Sequence, residues 1–163
     1  MDIFQRHRED VYRWAYRLLG RHHDALDAVQ DVFLRWLSQS RRAFPENPRG
    51  WLRRVTVNRA IDLLRARRAC TTAEQSTVPR VHAPQADVIE TGELRDDLGT
   101  ALETLTDAQR SVLIAKVYDG MTFAQIAAEQ RLAVPTVKTH YLRALGAVRD
   151  RMTGRWGPER NHT

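Results

Sequence analysis

Apolar residues recur every three or four positions over most of this chain and nowhere alternate for a useful length, a pattern that points to helices and not to strands. Ile3 to Leu19 reads as a first helix, stopped by Gly20 and the polar turn Arg21–His23. Asp24 is the expected cap of a second helix, ALDAVQDVFLRWL, with Ala25, Val29, Val32, Phe33 and Trp36 as its buried stripe. Pro45 and Pro48 bracket a short loop, Phe44–Arg49, and Trp51 to Arg68 then runs without a breaker. At roughly 100° per residue, Leu52, Val57, Ala60, Ile61, Leu63 and Leu64 fill one half of that helix. Trp51, Arg54, Asn58, Asp62 and Arg65 gather on the other half.

In the second half of the chain, Thr106-Asp107-Ala108-Gln109 has the form of a capping box that opens a helix ending near Asp119-Gly120. Thr122-Phe123-Ala124-Gln125 is a second such box, opening a short helix with Phe123, Ile126 and Ala127 inward. Pro135 suits a first helical position, and the helix Pro135–Met152 is expected to bury Val137, Tyr141, Ala144, Leu145 and Val148. Its other face would present Thr136, Thr139, His140 and Arg143, with Lys138 and Arg149 at the rim. A short helix, a tight turn and a longer helix with polar first turns is the helix-turn-helix plan, in which the second helix enters the DNA major groove.

Charge divides the chain in three. Residues 1–70 carry +7, residues 71–105 carry −5 and residues 106–163 carry +4. Two basic modules flanking an acidic segment suit a polyanionic partner, although solvated helix faces have the same composition. Thr71–Glu90 has two prolines and no sustained period, the signature of a linker; twenty such residues reach roughly 66 Å when extended. The fold class expected is all-α: an N-terminal helical bundle, residues 1–70, and a C-terminal helix-turn-helix domain, residues 94–155. A flexible acidic linker, residues 71–93, joins them, and residues 156–163 form a tail.

Several function classes lack the residues they need. No run of eighteen apolar residues is present, and MDIFQRHRED has no apolar signal core, so neither a membrane span nor secretion is expected. The lone Cys70 cannot form an internal disulfide or a zinc cluster, which fits a reducing cytoplasm. No Gly-rich phosphate loop, paired-acid site or nucleophile constellation appears, so an enzyme is not expected. His22-His23-Asp24 is too sparse a donor set for a metal, and no cofactor is implied. What does stand out is a tryptophan among arginines and an asparagine: aromatic rings stack on unpaired bases and arginines neutralise the backbone.

These residues resemble the extracytoplasmic function (ECF) group of bacterial sigma factors. Asp27, Gln30, Asp31, Phe33, Leu34 and Arg35 are similar to the group's core-polymerase-binding helix. Asn47, Pro48, Trp51, Leu52, Asn58, Asp62 and Arg65 resemble its −10 promoter element helix, and the loop Phe44–Arg49 aligns with the one that receives a flipped base. LTDAQRSVLIAKVYDGMTFAQIA and TVKTHYLRAL resemble the −35 reading domain. There Arg131 stands where a glycine is common, Ala133 where a serine cap is common, Thr139-His140 replaces Ser-Arg, and Leu145 replaces an arginine.

The resemblance implies an alternative sigma factor that binds core RNA polymerase at the β′ clamp and β subunits. It implies that Asn47, Pro48, Arg49, Trp51, Arg54, Asn58, Asp62 and Arg65 hold the single-stranded −10 element. Thr122, Pro135, Thr136, Lys138, Thr139, His140 and Arg143 would contact duplex DNA at −35, with Arg143 the guanine reader. It further implies an anti-sigma factor and a cytoplasmic, nucleoid location that becomes membrane-bound when that factor sequesters the chain. A narrower resemblance competes: T-V-K-T-H also occurs in LuxR-type regulators, which bind DNA outside polymerase, and it covers residues 106–152 only.

Overall fold

The structure is a computed structural model that describes residues 3–39, 45–74 and 86–156; side chains are not described at 71–74, 86–91 and 155–156. Among the described residues the regular structure is helical: α1 (Ile3–Leu19), α2 (His22–Leu37), α3 (Pro48–Glu74), α4 (Ala86–Glu103), α5 (Asp107–Val117), α6 (Phe123–Gln130) and α7 (Val134–Trp156). The chain divides into two compact units, Met1–Gly99 and Thr100–Thr163.

In the first unit, α1 packs on α2 and α3, and α2 packs on α3. Val11, Trp14, Val29, Val32, Phe33, Trp36, Leu52 and Val55 form the core, each from a three- or four-residue stripe on its helix. Helix α1 stops where expected, because Gly20 takes φ +68° while its N–H closes on the Tyr16 carbonyl at 2.8 Å. Helix α2, by contrast, begins two residues before Asp24, from Arg21, which supplies no side-chain cap. Asp24 sits in the first turn, where the helix dipole favours a carboxylate, and lies 3.7 Å from Arg67.

Helix α3 starts at Pro48 rather than Trp51 and runs to Glu74 rather than Arg68. The Asn47 side-chain oxygen accepts the Gly50 N–H at 3.0 Å, and Pro48 fills a position whose missing N–H has no partner to lose. Of the loop Phe44–Arg49, Phe44 lies outside the described residues and Pro48 and Arg49 are helical. The segment expected as a linker is helical at residues 71–74 and 86–93, while residues 75–85 lie outside the described residues, as does most of the tail. Helix α4 is held to the first unit by Arg67, which meets Asp96 at 2.7 Å and donates to the Leu19 carbonyl at 3.4 Å. A Cβ at Gly99 would fall 2.7 Å from the Leu64 Cδ1, so a larger residue there would push that buried side chain aside.

In the second unit, both expected capping boxes are present. Thr106 and Gln109 exchange hydrogen bonds at the start of α5, and Thr122 and Gln125 do so at the start of α6. Helix α5 ends at Val117, short of Asp119-Gly120. Arg110 donates to the carbonyls of Leu102 and Leu105, closing the turn before α5. Val112, Ala115, Ile126, Ala127 and Val137 make the core, flanked by Met121, Phe123, Leu132, Val134 and Tyr141. Helix α7 begins at Val134, one residue before Pro135, and continues past Met152 to Trp156. Leu145, expected inside, is 43% exposed, because α5 and α6 cover only the Val137–Ala144 side of α7. Among the described residues no helix is long and apolar enough to cross a membrane, and no cluster of His, Cys, Asp or Glu suits a metal.

Candidate polymerase and nucleic-acid interfaces

On α2, Asp27, Gln30, Leu34 and Arg35 are exposed and Asp31 is half-buried, a line of positions 27, 30, 31 and 34 along one side of the helix. Leu34 is 65% exposed and Leu37 74%, beside an open apolar groove of about 560 Å³ lined by Ile3, Phe4, Gln30, Phe33 and Trp36 as well. Phe33 is buried in the core, where the α2 stripe places it, with Phe4 edge-on at 4.8 Å, and it reaches the groove from beneath. Phe4 and Leu37 complete the groove, and neither belongs to the α2 motif. Exposed large apolar side chains clustered around a groove mark a contact surface.

The face of α3 is less open than the helical wheel suggests. Trp51 is half-buried, its ring edge-on to Trp36 with centroids 5.4 Å apart, and so does not stand clear of the core. Arg49 donates from Nε to Asp10 at 3.1 Å, and its guanidinium lies 5.5 Å from the centre of the Trp14 ring. Asp10 also pairs with Arg13. Arg54, Asp62 and Arg65 are exposed, with Asn58 half-buried between them, and Arg65 approaches Asp62 only at 3.8 Å. Asn47 and Pro48 have local work as cap and first helical residue.

Two arginines escape the sequence pattern. Arg53 is fully buried, its guanidinium 5.5 Å from the Trp14 ring centre; the wheel sets it between Ala60 and Leu64 on the inward half of α3, but a stripe read from apolar residues alone passes over a charged one. Arg59 crosses the seam between helices and pairs with Asp31 at 2.6 Å. Twenty-eight residues separate the partners, so no local spacing could have signalled the pair. His7 Nδ1 is enclosed without a hydrogen-bond partner, and desolvation holds the imidazole below its ordinary protonation range, opposed by Asp10 and aided by Arg6 and Arg49.

In the second unit, α6, a three-residue turn and α7 take up the helix-turn-helix plan. Arg131 ends α6 in the left-handed conformation, φ 55° and ψ 44°, and the Leu132 N–H closes on the Ala127 carbonyl at 3.0 Å. Pro135, Thr136, Thr139 and Arg143 are exposed on α7. Thr139 folds its hydroxyl back to the Pro135 carbonyl at 3.0 Å, and the Thr122 hydroxyl accepts from Gln125 in its cap. His140 is half-buried, its Nδ1 enclosed without a hydrogen-bond partner. Lys138 is exposed roughly 140° around the helix from Arg143, on the flank of Leu142 and Leu145.

Residues 3–70 match the family Sigma-70 region 2, and residues 95–148 match Sigma-70, region 4. The ECF RNA polymerase sigma factor SigL of Mycobacterium tuberculosis is 31% identical over 152 residues, 90% of this chain and 85% of that protein. The ECF RNA polymerase sigma factor SigE of Mycolicibacterium smegmatis is 28% identical over 153 residues; these make up 91% of this chain but only 60% of that longer relative. Among solved structures, the sigma factor RpoE in complex with the anti-sigma factor NepR from Bartonella quintana is 23% identical, covering 89% of this chain and 91% of that one, with a TM-score of 0.45.

Proposed function

The chain belongs to the ECF group of sigma-70 factors, and from that premise we propose that α2 docks on core RNA polymerase while α3 and α7 read the two promoter elements. The observation that carries this reading is the side-by-side arrangement in the first unit of two unlike surfaces. One is acidic and apolar, on α2 beside the groove; the other is basic, on α3. An acidic ridge next to an apolar groove suits a protein partner with a cationic flank, whereas exposed arginines suit a phosphate backbone.

Docking falls to Asp27, Gln30, Asp31, Leu34 and Arg35, with Phe33 supporting the surface from beneath. Strand capture falls to Arg54, Asn58, Asp62 and Arg65, with the open side of Trp51 as a stacking surface and Arg49 steadied by Asp10. Extruding a base takes a few kcal/mol, and stacking at about 1–3 kcal/mol per base offsets it. In the second unit Thr136 and Arg143 face the groove, Pro135, Thr139 and His140 flank them, and Thr122 and Lys138 meet phosphates. The β′ clamp and β subunits as the docking points, an anti-sigma factor as the restraint, and action at the nucleoid with sequestration at the membrane follow from the group resemblance.

The LuxR-type alternative has no support, since it leaves the match over residues 3–70 unexplained. Reconstitution with core polymerase and mapping of transcript 5′ ends tests the proposal. Start sites should fall downstream of a shared pair of elements, and unselective starts would overturn it.

A further inference from the structure

We propose that Arg59 is a positioning residue for polymerase docking, holding the Asp31 carboxylate in the orientation its partner meets. This inference rests on the reading of α2 as the docking helix. The Arg59 Nε donates to Asp31 Oδ2 at 2.6 Å across the seam of α2 and α3, and both side chains remain partly exposed, 38% and 43%. One N–H on one carboxylate oxygen fixes the rotation of the group and leaves Oδ1, with its lone pairs, for a second donor. A carboxylate held in place before binding loses less freedom on docking than one that rotates.

The surroundings add a second reason. Asp31 lies one turn before Leu34, which borders the apolar groove, so a docked partner would strip water from the carboxylate. A buried charge is tolerable only when it is paired and its hydrogen bonds are made. Arg59 supplies one such pairing from within the chain, and the partner needs to bring only one cationic or N–H donor to Oδ1. The partner surface that fits is therefore an apolar ridge carrying a single guanidinium or ammonium group.

The test is the affinity of the full chain for core polymerase in Arg59→Met, Arg59→Lys, Asp31→Asn and the Arg59→Met/Asp31→Asn pair, with melting curves alongside. Methionine keeps the stem of Arg59 and removes its charge, so a packing role would leave binding unchanged. The expected result is a loss of about tenfold in Arg59→Met, most of it restored in Arg59→Lys. In the Asp31→Asn background, Arg59→Met should add less than about a twofold further loss. At saturating subunit, promoter opening by the Arg59→Met holoenzyme should match wild type.

Wild-type affinity in Arg59→Met, or an equal loss in both backgrounds, overturns the positioning role while leaving α2 docking intact. Wild-type affinity in Asp31→Asn removes Asp31 from the docking surface and overturns the positioning role with it, whereas the docking reading falls only if Gln30→Ala with Leu34→Ala also binds like wild type. An opening defect that persists at saturation assigns Arg59 to DNA and also overturns the proposal.

Discussion

The Trp51 ring stands edge-on to Trp36 at an interplanar angle of 71°, making the aromatic of the basic face part of the seam between α2 and α3. Any substitution there therefore perturbs stability as well as strand contact. We predict that Trp51→Ala destabilises the first unit by about 1–3 kcal/mol, less than a fully buried tryptophan would. Thermal melting with and without the substitution measures it; an unchanged melting curve would mean that the Trp36 contact contributes nothing.

Strand capture is better tested away from that seam. Arg54→Ala with Asn58→Ala should reduce promoter opening, read by permanganate reactivity of unpaired thymines, more than it reduces duplex binding. Equal losses in the two assays would argue against a role for this face in holding the separated strand.

Asn47 is predicted to matter first as a helix cap. Asn47→Ala should destabilise the first unit by about 1 kcal/mol, while Asn47→Asp, whose oxygen still accepts the Gly50 N–H, should retain the stability. Equal melting temperatures for wild type and Asn47→Ala would show the cap to be dispensable.

Arg131 occupies a conformation that L side chains adopt at a cost of about 1–2 kcal/mol. Arg131→Gly should raise the stability of the second unit by up to about 1 kcal/mol. A decrease would instead mean that contacts of the Arg131 side chain outweigh the backbone strain.

On α7 the expected division of labour is between sequence and backbone. Arg143→Ala should change base preference at the upstream element, whereas Lys138→Ala should weaken binding to all sequences alike and lower the salt slope by about one. Upstream preference that survives Arg143→Ala would remove that residue as a reader.

His7 gives the first unit a pH dependence whose sign follows from its surroundings. Burial depresses its proton affinity below the ordinary value of 6.5, so the unfolded chain binds the proton more readily than the folded one. The folded state is fully favoured above that value and loses stability as pH falls through it. Melting temperature should therefore decline between pH 7.5 and pH 5.5, and more steeply in wild type than in His7→Gln. Parallel slopes in the two proteins would assign the decline to other groups.

What proved legible in the sequence was local. Helix α1 ends at Leu19 because Gly20 follows, and the boxes at Thr106 and Thr122 close because each partner lies three residues ahead. The strained turn at Arg131 has no local signal of its own; only the family resemblance, which sets a glycine at that position, points to it. Boundaries differ where one local signal serves two purposes: Asp24 has the chemistry of a cap but sits in the first turn of α2, and Asn47-Pro48 has the chemistry of a loop but opens α3.

By itself, then, the sequence determined the helical class, the two capping boxes and most of the stripes that face inward, because each depends on residues within about one helical turn of one another. Only the tertiary structure decided that Trp51 leans on Trp36, that Arg53 is buried beside Trp14 and that Arg59 reaches Asp31. Those contacts depend on which faces of α1, α2 and α3 meet and at what rotation. Packing of the whole core sets that rotation, and no spacing along a single helix encodes it.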